Sequence, residues 1–232
     1  MLRTKDCQHG LAVCMKRLID SLWLAALLLP GLSRTFAQAT IEGTVSLPRP
    51  AGEPVPLPRY PNQLVQPAAP DRAVAVVYLE GQFAATPPGH PSSVKVMGQK
   101  NLQFTPGLLP IQKGTLVEFP NEDDIYHNVF SYSKTKRFDL GRYRKEEKPA
   151  AQLFDKTGLV RLSCEIHEHM RGFILVLDTP YFQKTDTNGH YRLDHLPAGR
   201  FVLKAWLNEK SVLERPVELK AGETLRVDFK NE

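Results

Sequence analysis

The sequence predicts an all-β protein, because three features recur along residues 40–232. Helical periodicity is scarce, short alternating or β-branched runs are frequent, and turn residues separate these runs. The turns are explicit at 186–189, 197–199 and 221–222, each of which ends in glycine. The predicted strands are IEGTVSL (41–47), AVAVVYLE (73–80), LVEF (116–119), HNVFS (127–131), LVRLS (159–163), FILVLD (173–178), HYRLDHL (190–196), FVLKAWL (201–207) and TLRVDF (224–229).

The size and composition of the chain are those of a folded protein with a real core. It has 232 residues, of which 42% are hydrophobic and 24% are charged. This balance is typical of globular proteins and excludes a disordered chain. The length is sufficient for one large β domain or two small ones.

The first 39 residues differ from the rest and predict a secretory signal peptide. Met15-Lys16-Arg17 is a basic start, residues 22–29 are an apolar run, and residues 37–39 form a small-x-small cleavage site. Residues 1–14 have no part in such a signal, which suggests that translation starts at Met15. The apolar run is shorter than the roughly 20 residues that span a bilayer, so a permanent membrane anchor is the weaker interpretation. We therefore expect a periplasmic or secreted protein.

Removal of this leader changes the charge and the thiol content. The leader carries five Lys/Arg and two Asp/Glu, which leaves 25 positive and 23 negative side chains, a net charge of +2. So small a charge argues against nucleic acid or anionic lipid as a partner. Cys7 and Cys14 depart with the leader, so Cys164 remains without a disulfide partner. A lone thiol in an oxidising compartment needs burial or a ligand role.

Two segments are predicted to be surface loops. Residues 48–70 hold eight of the nineteen prolines, which favours an extended stretch that is poor in hydrogen bonds. Residues 134–148, KTKRFDLGRYRKEEK, are strongly basic. Because runs of charge are usually solvated surface, a solvated loop is preferred here to a docking patch.

Cys164 lies in the stretch CEIHEHM (164–170), whose residue types suit a metal. Alternation along the preceding strand directs Cys164 inward, and the next strand begins near Phe173. On the hairpin tip between them, Cys164, His167 and Met170 follow at three-residue intervals and can converge. A thiolate, an imidazole and a thioether are soft ligands that suit copper. His127, which follows the turn residues of segment 119–126, is the candidate for a second imidazole.

The segments VEFPNEDDIYHNVF (117–130) and LVRLSCEIHEHMRGFILV (159–176) resemble the cupredoxin family of small blue-copper proteins. The spacing Cys-x-x-His-x-x-Met is the short form of the ligand loop, as in amicyanin. The resemblance implies a Greek-key β-sandwich that holds one copper, with three equatorial ligands and a weak axial one. It also implies an asparagine that braces the two ligand loops through hydrogen bonds. The resemblance makes His127, Cys164 and His167 the equatorial ligands and Met170 the axial one. Asn128 takes the place of the bracing asparagine.

Two alternatives to this ligand set remain. His169 lies between His167 and Met170; neighbouring positions in a tight loop face different ways, so we expect it to be exposed. It is nevertheless an alternative to His167, because histidine is a common metal ligand. The alternative to the whole site is a buried structural cysteine beside incidental histidines.

The number of available cysteine and histidine ligands distinguishes this predicted site from catalytic copper centres. A binuclear centre would need a second cysteine, and a multicopper oxidase would need more histidines. His90, His190 and His195 are scattered among turns and strands. A single site with all positions filled leaves no open position for a substrate, so we expect a protein that is not an enzyme.

The segment TDTNGHYRLDHLPAGRFVLKAWL (185–207) resembles the carboxypeptidase regulatory-like, or transthyretin-like, β-sandwich. The first strands of that pattern occur at 43–47 and 74–79, so we expect the copper domain to be inserted into this smaller sandwich. Chains that combine the two patterns are often labelled methylamine-utilisation proteins by resemblance. The expected divisions are residues 1–39 as signal peptide, 40–91 as N-terminal strands with the Pro-rich loop, 92–179 as the cupredoxin domain and 180–232 as the regulatory-like sandwich.

The function expected from these features is that of an exported mononuclear type 1 copper protein. It would carry single electrons between protein redox partners, and copper would cycle between Cu(I) and Cu(II). One alternative is a periplasmic copper-binding or copper-delivery protein without redox turnover. Another is a β-sandwich interaction module that the metal only stabilises, since a ligand that binds the native state alone adds to its stability.

Overall fold

The structure is a computed structural model that describes residues 38–48, 74–83 and 94–230. Within these ranges the chain forms strands and no helix, which confirms the predicted all-β class. Accordingly, no helix in this part of the chain has the length and apolar character needed to cross a membrane. The predicted start at Met15, residues 1–37 of the predicted leader and residues 49–70 of the Pro-rich loop lie outside the described residues.

Seventeen strands make up the described part of the chain. Nine of them overlap the predicted strands, with ends that differ by a few residues. In chain order they are β1 (Ala39–Thr44), β2 (Val76–Glu80), β3 (Val94–Val96), β4 (Gly98–Lys100), β5 (Gln103–Thr105), β6 (Leu108–Gln112), β7 (Thr115–Glu118), β8 (His127–Tyr132), β9 (Arg137–Tyr143), β10 (Gln152–Phe154), β11 (Gly158–Ser163), β12 (Arg171–Leu177), β13 (Phe182–Lys184), β14 (His190–Leu196), β15 (Gly199–Asn208), β16 (Ser211–Leu219) and β17 (Thr224–Arg226).

One hydrophobic core lies between a three-stranded sheet, β14-β1-β17, and a four-stranded sheet, β13-β2-β15-β16. Strand β1 runs antiparallel to β14 and parallel to β17, and β2 runs antiparallel to β13 and β15. Alternate residues of β1, such as Ile41, and of β15, such as Leu203, point into this core. The two N-terminal strands therefore pair with strands that follow residue 181.

A second core is built from residues 94–177 alone. It lies between the five-stranded sheet β6-β12-β11-β8-β9 and the three-stranded sheet β10-β7-β3, and the β4-β5 hairpin contributes Phe104 to it. Strand β11 contributes Val160 and Leu162, and Cys164 and Met170 lie in the same core. The interior of this sandwich therefore extends up to the predicted metal ligands.

A third apolar cluster joins the two sandwiches. Strand β12 is central in its sheet; Ile174 and Val176 face the second core, whereas Leu175 and Leu177 pack with Trp206 of β15 on the other face. Burial on both faces explains why β12 is a continuous apolar run instead of an alternating one. An ion pair between Arg161 and Glu209 also links the two sandwiches. The two sandwiches therefore share one buried apolar interface, formed around β12 and β15.

Replacement of Trp206 by alanine is expected to destabilise the protein by about 3–5 kcal/mol, because it opens a cavity in this shared cluster. Denaturant unfolding of the wild-type protein and the variant measures the change in the free energy of unfolding. A decrease in the free energy of unfolding below about 1 kcal/mol would be close to the effect of a surface substitution. Such a result would contradict a contribution of the cluster to stability.

The basic segment 134–148 is not a solvated loop as predicted, since residues 137–143 form strand β9. Strand β9 pairs antiparallel with β8 at the edge of the five-stranded sheet. Its half-buried residues Phe138 and Leu140 pack against the second core, while Arg137 and Asp139 are exposed. Charged residues are common on edge strands, where they discourage pairing with another chain. The many charged residues thus made the alternating pattern of β9 difficult to recognise in the sequence.

Candidate metal centre

The predicted ligands come together at one end of the five-stranded sheet. His127 is the first residue of β8, and Cys164 directly follows β11, which lies beside β8. The chain then turns through residues 164–170 and enters β12. His127 is 0% exposed, Cys164 4%, His167 6% and Met170 1%. Neighbouring strands therefore deliver four sulfur and nitrogen side chains to one buried region.

Three donor atoms converge at this point. The Nδ1 atoms of His127 and His167 are 3.1 Å apart, and the Cys164 Sγ atom is 3.7 Å from the His167 Nδ1 atom. The donor atoms of the three residues all lie within 4.8 Å of one another. A single ion among them could accept a lone pair from each residue.

Met170 closes the turn that carries the other two loop residues. Its backbone N–H donates to the His167 carbonyl over 2.9 Å, so the loop folds back before β12 begins. Its side chain is buried in the same apolar core as Cys164. This position suits a weak fourth ligand, although a role as ligand stays a prediction.

His169 lies apart from the three converging donors. Its side chain is exposed. Burial of its inner part and the nearby His167 lower the pKa of His169. The structure thus brings His167, and not His169, together with His127 and Cys164.

Asn128 contacts both ligand-bearing segments. Its backbone N–H donates to the Cys164 Sγ atom over 3.4 Å, and its side-chain oxygen accepts the Glu165 N–H over 3.4 Å. Its amide nitrogen donates to Asp139 Oδ1 over 2.8 Å and to the Gly141 carbonyl over 3.0 Å. Asn128 therefore ties the ligand loop to β8 and β9.

Asp123 is a residue of the site that the sequence did not reveal. Its Oδ2 atom lies 2.9 Å from the His127 Nε2 atom. The same carboxylate accepts the backbone N–H groups of Asn101 and Leu102 over 2.8 and 3.0 Å. Its one sequence signal is its position four residues before His127. The carboxylate orients the His127 ring through its Nε2 atom, as the partners of metal-binding histidines commonly do.

The turn that Asp123 holds is itself unusual. Asn101 and Leu102 connect β4 to β5 and have φ angles of 52° and 60°. Two-residue hairpin turns of type I′ need this left-handed conformation at both central residues, and it is unfavourable for leucine. The two hydrogen bonds that Asp123 accepts from Asn101 and Leu102 offset that cost, so the same carboxylate stabilises the hairpin and orients His127.

The electrostatics of the cluster favour a thiolate. Burial opposes ionisation of Cys164, but hydrogen bonds with His127 and His167 and from the Asn128 N–H outweigh it and lower the pKa of Cys164 to about 5. Burial disfavours the charged form of His127, yet Cys164 and Asp123 raise its pKa. At neutral pH the sulfur is therefore ionised, which is the form that binds metals.

A buried polar network holds the segment that precedes His127. The Asn121 side chain donates to the carbonyls of Ile125 and Tyr143 over 2.8 and 3.0 Å and accepts the Asp123 N–H over 2.9 Å. The Tyr143 hydroxyl donates to the Phe119 carbonyl over 2.7 Å. Because these groups are satisfied and buried, they keep Asp123 in a fixed position.

No protein-family model and no curated protein sequence matches the chain. Among solved structures, a reduced amicyanin variant is 17% identical to this chain with a TM-score of 0.34. The match covers 44% of this chain and 98% of the amicyanin chain. The Cu(I) form of another amicyanin variant is 20% identical with a TM-score of 0.34, covering 46% of this chain and 100% of its own. A purple cupredoxin from Nitrosopumilus maritimus is 21% identical with a TM-score of 0.32, covering 37% of this chain and 100% of its own.

Proposed function

We propose that the protein is a mononuclear type 1 copper carrier that transfers single electrons between protein partners. The observation that carries this proposal is the convergence of the His127 Nδ1, Cys164 Sγ and His167 Nδ1 atoms in a buried region. Copper would supply the one-electron couple, held by these three residues with Met170 as a weak fourth ligand.

The donor set and its surroundings fit copper. Two imidazoles, a thiolate and a thioether are the ligands of blue-copper sites. An Nε2–H group of His127 can donate to Asp123, which leaves the Nδ1 lone pair for the ion. All four side chains are buried, and with Met170 as the fourth ligand the proposed site would have no position open to a substrate. Catalytic metal sites usually keep such a position, and this difference favours a carrier over an enzyme.

The optical spectrum of the copper-loaded protein tests the proposal. We expect one copper per chain and an intense visible sulfur-to-copper charge-transfer band in the oxidised protein. A colourless Cu(II) complex with an ordinary tetragonal EPR spectrum would contradict a type 1 site. A metal that raises the melting temperature without producing the band would favour the structural module instead.

Repeated oxidation and reduction are expected to leave the metal in place. Asp123 and Asn128 fix the ligand-bearing segments, so the ligand geometry has little freedom to change with the oxidation state. Cyclic voltammetry in the presence of a competing Cu(I) chelator measures retention. Met170→Gln should shift the reduction potential and keep the colour. Loss of copper to the chelator within the first cycles would favour a delivery protein.

The domain division expected from the sequence is part of this proposal. Residues 92–179 would form the copper domain, inserted between residues 40–91 and 180–232 of the smaller sandwich. The pairing of β1 with β14 and β17 and of β2 with β15 supports this division. So does the second core, which uses residues 94–177 alone.

Export is the remaining part of the proposal, with cleavage after Ala39. The mass of the intact exported protein is expected to correspond to a chain that begins at Thr40, because the small-x-small pattern ends at the preceding residue. A mass that includes Trp23 would indicate a membrane anchor instead.

A further inference from the structure

The positive charge of the chain is concentrated in one segment. Residues 134–148 contain seven Lys/Arg and three Asp/Glu, a net charge of +4, whereas residues 40–232 as a whole have a net charge of +2. The rest of that part of the chain is therefore slightly acidic. Such a local excess attracts acidic partners even when the overall charge is small.

The structure places one end of this segment, at Arg142 and Arg144, beside the metal centre, whereas Arg137 lies at the other end of the β8–β9 pair, opposite Tyr132. Strand β9, within the segment, pairs with β8, whose first residue is the predicted ligand His127. Arg142 pairs through its Nε atom with Glu165 Oε1 over 2.6 Å, and Glu165 directly follows the predicted ligand Cys164. The basic strand thus contacts both ligand-bearing segments.

Two exposed tyrosines extend the basic surface, and each is covered by an arginine. The Arg137 guanidinium lies 4.9 Å from the ring centre of Tyr132, and the Arg144 guanidinium lies 4.4 Å from that of Tyr126. Tyr132 is 66% exposed and Tyr126 is 44% exposed. Cation–π contacts restrict these side chains, and tyrosine and arginine dominate the binding energy of many protein interfaces. We call Tyr126, Tyr132, Arg137, Arg142 and Arg144 the β9 surface.

We propose that the β9 surface docks an acidic protein that exchanges electrons with the metal centre. The inference rests on the proposed function for the electron transfer, and on charge and position for the docking. Tyr126 directly precedes His127, so a partner on this surface lies close to a ligand. Cations of the surface would steer the encounter, and the preorganised tyrosines would provide contact area.

A folded acidic protein fits this surface better than a nucleic acid or a lipid membrane. Asp139, Glu146 and Glu147 are exposed and interrupt the run of cations. Carboxylates repel a continuous row of phosphates, whereas a protein partner can present basic groups to them. The mixed pattern therefore favours a partner with a predominantly acidic but patterned surface.

The position of the surface is tested by NMR on the full protein in its Cu(I) or metal-free form. Poly-L-glutamate serves as the acidic probe, and the largest amide shifts are expected at residues 126, 132 and 137–145. The double variant Arg137→Gln/Arg144→Gln should weaken this binding about tenfold, whereas Arg215→Gln, an exposed arginine on β16, should not. Shifts centred elsewhere would overturn the proposal. Stronger binding of polyuridylate or phosphatidylglycerol vesicles to the same residues would overturn the assignment to a protein.

Electron-transfer kinetics test whether the surface serves the metal centre. Oxidation of the Cu(I) protein by anionic hexacyanoferrate(III) should slow about tenfold between roughly 0.01 and 0.15 M ionic strength, because salt screens the cations. Oxidation by cationic tris(phenanthroline)cobalt(III) should not slow. The double variant should lose most of the salt dependence, and Arg215→Gln should keep it.

The two experiments separate failure of the inference from failure of the proposed function. Absence of the visible band contradicts the type 1 site, yet leaves the NMR map of the acidic probe intact. If the oxidation rates of the double variant and the wild-type protein depend equally on salt, docking at the β9 surface is overturned, even where the visible band is present.

Discussion

Cys164→Ser is expected to abolish the visible charge-transfer band of the copper-loaded protein completely. The band requires a thiolate, and the pKa of Cys164 is about 5 because hydrogen bonds from three groups outweigh its burial. A serine hydroxyl stays protonated at neutral pH and is a much poorer ligand for copper. Optical titration with Cu(II), together with the melting temperature of the metal-free variant, measures the effect and shows whether the fold is retained.

The two loop histidines provide matched variants for this experiment. His167→Ala is expected to lose the band, because it removes one of the three converging donors. The His167 Nδ1 atom lies 3.1 Å from the His127 Nδ1 atom. His169→Ala should keep the band, because His169 is exposed and outside the converging donors. The reverse result would assign the second imidazole ligand to His169.

Asp123→Asn is expected to weaken copper binding about 10- to 100-fold, the usual effect of removing the partner of a metal-binding histidine. The carboxylate accepts hydrogen bonds from His127 and from two backbone N–H groups at once. An amide has one acceptor oxygen, so its NH₂ group would face at least one of these donors. Both the orientation of His127 and the turn at residues 101–102 would suffer. Competition with a chelator of known affinity measures the loss.

The neighbouring carboxylate is the control. Asp124 is 91% exposed and pairs with Lys145 over 3.6 Å on the surface. Asp124→Asn removes the same charge one residue further along without touching His127, and it should leave the copper affinity unchanged. Equal losses in the two variants would mean that general electrostatics, and not the contact with His127, set the affinity.

The strands that the sequence did not predict are very short, highly charged or contain proline. Strands β3, β4, β5, β10 and β13 have three residues each, too few for alternation to stand out. Strand β9 alternates, but its charges resemble a solvated loop. Strand β16 contains Pro216, which usually argues against a strand; it lies at the edge of its sheet, where a missing N–H is tolerated.

The predicted ligands were recognisable because their spacing is local. Cys164, His167 and Met170 lie within seven residues, and a strand pattern indicates that His127 faces inward. The position of Asp123, four residues before His127, is a much weaker signal. It is one of four consecutive polar residues, 121–124, and its importance depends on contacts with Asn101 and Leu102, some twenty residues earlier. Only the folded chain distinguishes it from its neighbours.

The pairing of β1 with β17 has a consequence for the order in which the chain folds during synthesis. Ile41 lies beside Leu225, so the earliest described strand obtains one of its partners almost last. The strands of the sandwich formed by residues 94–177 pair only with one another, so this sandwich can form its own core once residue 177 has emerged, before Trp206 covers the outer face of β12. Strands β1 and β2 must wait for partners in residues 182–226, a long-range closure of the kind that slows folding. The region that would receive the metal is therefore assembled before the sandwich that surrounds it in the sequence is closed.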